Sequence, residues 1–192
     1  MKTRNIILAS KSPRRRDLLK MMSLKFKVVD SGFEEDLNLK LSPEKLAMHL
    51  AKGKARAVAL NYPNAIIIAA DTIIVHKKKI YGKPYTKPRA IKMLKELSGT
   101  THWAMTGLCV MDTMSGKMVA KTVKTKVVLR KLHHDEIIKY VKEHKPYDYA
   151  GAYGLFGKAA VFAKRVEGEY YNVIGLPPSE LSVILRGFGI KI

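Results

Sequence analysis

Cysteine is almost absent from this chain of 192 residues, and acidic residues are scarce. Cys109, inside "GLCVMD", stands alone. A lone cysteine excludes an intrachain disulfide and any cysteine-built metal site. In an apolar run it reads as a small core residue rather than a nucleophile. Long hydrophobic runs are also missing. The longest, "AIIIAA" at 65–70, falls far short of the roughly 20 residues that a membrane helix needs. The opening "MKTRNIILASKSPRRR" returns to charge too soon for a secretory leader, so the chain reads as cytoplasmic, with no membrane partner. One tryptophan and scattered tyrosines make no stacking platform for bases. The six histidines show no metal-ligand spacing, and there is no repeat, polybasic tail or low-complexity segment.

What is abundant is positive charge: 36 basic residues against 16 acidic, a net +20. Such a balance favours nucleic acid, acidic surfaces or polyanionic small molecules as partners, with a solubilising surface as the plain alternative. A basic, non-catalytic nucleic-acid-binding protein is the competing reading from another class. It leaves Glu35 and Asp71, acidic residues among basic loops, without a role.

Periodicity alternates strands with helices. Strands are expected at 5–9, 26–30 and 65–75, the last apolar on both faces like the middle of a sheet. Helices are expected at 13–22, from 43 to about 60, at 86–97, 135–144 and 178–188, with Ser12, Ser42 and Thr86 as N-terminal caps. A long antiparallel pair is expected over 101–112 and 117–130 around "DTMSGK", and a shorter one over 161–166 and 170–174 around "EGE". This is an α/β pattern with a mixed sheet. The chain reads as one domain, 1–192, with approximate lobes 1–85 and 86–192.

Four loops carry unusual residues. In "SKSPRRR", Ser12 and Pro13 open a helix, yet Arg14, Arg15 and Arg16 put cations where the helix dipole prefers anions. Either an anion is bound there by amides and guanidinium forks, or this is a solvated basic face. Asp71 follows the buried run 65–70 directly, and a carboxylate there needs a partner. It reads as a cap, a general base or a metal ligand, with Glu34 and Glu35 as partners around a divalent cation. Lys83 sits in the stiff turn "YGKP". Glycines 151, 154 and 157 in "DYAGAYGLFG" permit close backbone approach, without the context of a dinucleotide site.

Taken in order, "LASKSPRRRDLL", "FEEDLN", "LAKGKA", "AADTIIV", "GKP", "LSGTTH", "DYAGAYGLFG" and "GEYYNVIGLPPSEL" resemble the Maf family of nucleoside triphosphate pyrophosphatases over nearly the whole chain. The resemblance implies an elongated mixed β-sheet with flanking helices, two lobes around a deep cleft, similar to the inosine triphosphate pyrophosphatases. It implies hydrolysis between the α- and β-phosphates, giving a nucleoside monophosphate and pyrophosphate, with Mg²⁺ or Mn²⁺ as cofactor. A homodimer and a link to inhibition of septum formation also come with the family. Carried over by position, Ser12, Arg14 and Arg15 bind the substrate. Asp71, Glu35, Lys54 and Lys83 form the catalytic cluster, and Glu35 and Asp71 hold the metal. Arg16 matches no fixed position and is assigned to the surface. Arg14, Thr72 and Phe156 fall at positions tied to specificity. Thr72 fits the branch acting on dTTP and UTP, whereas the branch acting on 7-methyl-GTP tends to carry Gln there. Tyr149 and Phe156 depart from the first branch, which has Lys and Gln. Phe156 either stacks on a base or packs in the core.

Overall fold

Three helices begin where the sequence sets a hydroxyl just before a proline-containing first turn. In the computed structural model, which describes residues 4–192, Ser12 Oγ accepts from the amide of Arg15, Ser42 Oγ from Lys45 and Thr86 Oγ1 from Arg89, at 3.5, 3.3 and 3.4 Å. Pro13, Pro43 and Pro88 fall in the first turns, where a missing N–H costs nothing. These caps open α1 (Pro13–Met21), α2 (Pro43–Ala59) and α3 (Lys87–Leu97). The remaining helices are α4 (His134–His144), α5 (Tyr170–Ile174) and α6 (Pro178–Arg186).

The strands are β1 (Asn5–Ala9), β2 (Lys27–Val29), β3 (Ala65–His76), β4 (Lys79–Tyr81), β5 (Thr101–Asp112), β6 (Met118–Leu129) and β7 (Ala163–Glu167). They form a seven-stranded sheet in the order β2-β1-β3-β5-β6-β7, with β4 added to β3. β1 is parallel to both neighbours, Leu8 lying opposite Val28 on one side and Ile68 on the other. β4 and β7 are antiparallel to β3 and β6. The architecture is the expected α/β one, a mixed sheet with flanking helices.

The chain forms two units. The first takes the described residues up to Asp71, then 106–123 and 175–192; the second takes 72–105 and 124–174. The chain passes from one to the other inside β3, β5 and β6 and again at 174/175, rather than once near residue 85. In the first unit, Ala51, Ala55 and Val58 of α2 pack on Ile7, Ile67 and Ala69, with Cys109 fully buried among them. Burial pushes the Cys109 thiol up to about 11, consistent with a core residue. In the second unit, Leu94 and Leu97 of α3, Ile137 and Val141 of α4, and Val127 and Leu129 of β6 share one core.

The expected strand pair around "EGE" is not formed. A short 3₁₀ helix, Lys158–Phe162, precedes β7, and β7 pairs with β6, Lys126 facing Glu167. Residues 170–174 are helical instead. The reason is tertiary: Asn172 is fully buried, and its Nδ2 donates to the Ala104 carbonyl (3.2 Å) and to Thr125 Oγ1 (3.1 Å). Thr125 Oγ1 in turn donates to the Glu169 carbonyl at 2.8 Å. A five-residue run rich in tyrosine and branched side chains looks like a strand until these buried bonds fix the turn.

Candidate active site

Lys54 occupies a core position of α2. The buried face of this helix runs Leu46, Ala47, Leu50, Ala51, Lys54, Ala55 and Val58, the spacing of an apolar stripe. A lysine on that stripe brings its charge inside, where only 7% of the residue stays exposed. An ammonium so placed needs opposite charge close by. It has two partners. Nζ donates to Glu35 Oε1 at 2.6 Å and to Asp71 Oδ1 in a shorter contact.

Asp71 is itself 5% exposed. It lies within the twelve-residue β3 rather than at the strand's end. Burial pushes its carboxyl above the ordinary carboxylate range; Lys54 pulls it back, Glu35 pushes it further up, and Arg15 pulls it down. Glu35 comes from the irregular stretch between β2 and α2 and is half-buried. Its neighbour Glu34, expected as a second partner, is exposed.

The loop after β1 is brought to the same edge by the sheet register. Leu8 pairs with Ile68, and two residues on from each stand Ser10 and Ala70, one step before Asp71. Ser10 Oγ accepts from the amide of Ser12 at 3.2 Å and from Arg15 Nη1 at 3.3 Å. Arg15 Nε donates to the Gly175 carbonyl at 2.8 Å. The guanidinium is thus fixed on two sides. Arg14 is half-buried, while Arg16 is exposed beside Asp17 at 3.6 Å. No acidic residue stands in the first turn of α1. The positive end of α1 thus carries arginines and no first-turn carboxylate, next to the carboxyl end of β1. Neither Ser10 nor Gly175 stands among the residues that the sequence points to. The signal for Ser10 is a hydroxyl directly after an apolar strand; Gly175 takes part only through its backbone carbonyl, which accepts from Arg15, and so leaves no signal.

The structure therefore brings Ser12, Arg15, Glu35, Lys54 and Asp71 into the first unit, and Arg14 with them on α1. The other expected site residues belong to the second unit. Thr72 is half-buried on β3. Lys83 is held by Asp148, Nζ to Oδ1 2.8 Å. Phe156 is 65% exposed, which removes the core-packing alternative. The Tyr149 ring covers Gly154, where a Cβ would meet it at 2.3 Å, and a Cβ on Gly151 would press on Ile74 at 3.0 Å. Gly154 thus makes room for a ring of its own loop, while Gly151, at a φ of +69°, lies against Ile74 of β3 and Leu97 of α3. Below them, His102 Nε2 and the Tyr153 hydroxyl share a buried hydrogen bond of 2.6 Å, and burial lowers the imidazole to about 4.

Among the described residues no three His, Cys, Asp or Glu side chains converge on one point. The donor set that exists is two carboxylates flanking one ammonium. It does not make an all-protein cage. It does suit a hard divalent ion that takes one or two carboxylates and completes its shell with phosphate oxygens and water. Among the described residues no helix is long and apolar enough to cross a membrane.

Known proteins match this chain along nearly its full length. Residues 5–188 fit the family profile described as Maf-like protein. The dTTP/UTP pyrophosphatase of Geobacillus sp. (strain WCH70) is 43% identical over 176 residues, covering 92% of this chain and 94% of that protein. The dTTP/UTP pyrophosphatase of Dictyoglomus thermophilum is 42% identical over 190 residues, 98% of each. In three dimensions the chain is similar to the Staphylococcus aureus Ham1 protein, with a TM-score of 0.56 at 14% identity, over 96% of this chain and 99% of that one. That likeness concerns the fold alone. With a profile match over almost every residue and relatives above 40% identity throughout, the chain belongs to the Maf family.

Proposed function

We propose that this protein is a nucleoside triphosphate pyrophosphatase, cleaving between the α- and β-phosphates of dTTP and UTP to leave a nucleoside monophosphate and pyrophosphate. Membership of the Maf family and the dTTP/UTP pyrophosphatase activity of its relatives support the reaction and the pyrimidine preference. The observation that carries it is the buried Asp71–Lys54–Glu35 group beside the Ser12–Arg15 anion loop.

The residues divide the work as follows. The amides and arginines at the start of α1 take phosphate oxygens, Arg15 already held in place by Ser10 and Gly175. Asp71 accepts a proton from the water that attacks the α-phosphorus. The bond from that phosphorus to the oxygen bridging to the β-phosphate breaks, and pyrophosphate leaves with the electron pair. A carboxyl raised by burial is a stronger base than a solvent-exposed one, which suits work near neutral pH. Lys54 offsets negative charge gathering at the phosphates. Glu35 and Asp71 are the residues that would hold Mg²⁺ or Mn²⁺, an ion that supplies charge neutralisation when bound. Lys83 is assigned to the catalytic cluster, offsetting charge on the phosphates with Lys54, by the family resemblance alone. Work on nucleotide pools supports a cytoplasmic location, and the family resemblance supports a homodimer, which light scattering tests.

The test is pyrophosphate release from a panel of nucleoside triphosphates with and without Mg²⁺ or Mn²⁺. Turnover of dTTP and UTP above the rest is expected. Preference for 7-methyl-GTP would move the chain to the other branch of the family. No turnover, with salt-sensitive binding to nucleic acid, would replace the enzyme reading by the binding one.

A further inference from the structure

Glycine in the middle of a helix is unfavourable by about 1 kcal/mol against alanine. α2 carries one, Gly53, directly before Lys54. Its backbone is helical, with no positive φ, so chain conformation does not demand glycine there. What demands it is Phe33. A Cβ built on residue 53 would stand 2.3 Å from Phe33 Cζ, 2.4 Å from Cε2 and 2.8 Å from Cε1. The tip of the ring occupies the place of the missing side chain.

Phe33 lies two residues before Glu35, in a stretch without regular secondary structure. Two residues of chain span at most about 7 Å. Fixing the ring therefore restricts the carboxylate, and fixing it on the helix residue next to Lys54 restricts it relative to the ammonium. The geometry points to Phe33 and Gly53 as positioning residues: ring in notch, they hold the loop so that Glu35 meets Lys54. Neither touches the reacting atoms. The inference rests on the reading that Glu35 and Lys54 take part in hydrolysis.

Gly53→Ala separates this role from simple stability. The methyl group favours the helix, and the nearest atoms it meets are the end of one side chain on an irregular segment, so the thermal midpoint stays level or rises. The ring is displaced, and Glu35 with it. The expected result is a fall in kcat on dTTP of about fivefold or more, with KM for the nucleotide held within about twofold, since small misplacements cost rate before they cost binding. Phe33→Ala lowers kcat in the same way. In the double variant the two losses do not multiply, because one contact has been removed twice. Should Gly53→Ala not fold, Phe33→Leu leaves the helix intact and carries the same expectation. Gly53→Ala keeping more than a fifth of the wild-type kcat, or losses that multiply in the double variant, would overturn the inference. Glu35→Gln, run alongside, tells the two failures apart. If that variant is fully active, the role of Glu35 falls; if it is inactive while Gly53→Ala is fully active, only the positioning role falls.

Discussion

The Lys54 ammonium donates to the Asp71 carboxylate inside the first unit, each residue less than a tenth exposed. A buried pair of this kind stabilises little after desolvation, and its presence is weak evidence for stability. Its meaning lies in what it does to Asp71. Burial raises the carboxyl, and the ammonium beside it pulls it back toward the ionised form. Asp71→Asn keeps the shape and removes the base. The expected outcome is a loss of about 10²–10⁴-fold in kcat, with KM for dTTP little changed, read by steady-state pyrophosphate release.

The pH profile follows from the same shift. Asp71 acts ionised, so kcat/KM falls as pH drops through its pKa, and that limb lies above the ordinary value of 3.8. Glu35 is one of the groups that raise it. In the residual activity of Glu35→Gln the acid limb therefore moves to lower pH. A limb that stays in place or moves up would show that another group titrates.

The arginines at the start of α1 should not be equivalent. Arg15 is held by Ser10 and Gly175, and Arg14 is half-buried beside it, whereas Arg16 is exposed. Arg15→Ala is expected to raise KM about tenfold or more, the scale of one lost hydrogen bond to a charged group. Arg16→Ala should stay within about twofold. Equal effects at both positions would point to a diffuse basic surface in place of a built anion site.

His102 sets a stability prediction in the second unit. Its imidazole has a folded value of about 4, lowered by burial and by His76, against 6.5 unfolded. The folded state therefore binds fewer protons between those values. The stability is present in full above 6.5 and is lost as pH falls toward 4. At about 1.4 kcal/mol per unit, up to about 3 kcal/mol is involved. Urea unfolding of wild type and His102→Gln across that window checks it, with the acid-side slope smaller in the variant.

The sequence made some of this legible and hid the rest for physical reasons. Ser12, Ser42 and Thr86 were readable as caps because capping is a local bond over three residues, and each makes it. Asp71 stood out because a carboxylate after six apolar residues is locally anomalous. What partners it was not readable from spacing. Glu35 rather than Glu34 meets Lys54, and a one-residue choice in an irregular loop depends on where Phe33 seats on Gly53, twenty positions away. The five residues of α5 were misread because Asn172 finds its partners on β5 and β6, far along the chain. The interleaving of the two units was hidden in the same way, since three strands contribute residues to both.

The central claim is that water attacks the α-phosphorus with Asp71 as base. Turnover of dTTP in ¹⁸O-labelled water, with products resolved by mass, tests it most directly. The expected result is label in the nucleoside monophosphate, unlabelled pyrophosphate, and both products formed about 10²–10⁴-fold more slowly by Asp71→Asn. Label in pyrophosphate, or release of inorganic phosphate with a nucleoside diphosphate, would contradict it.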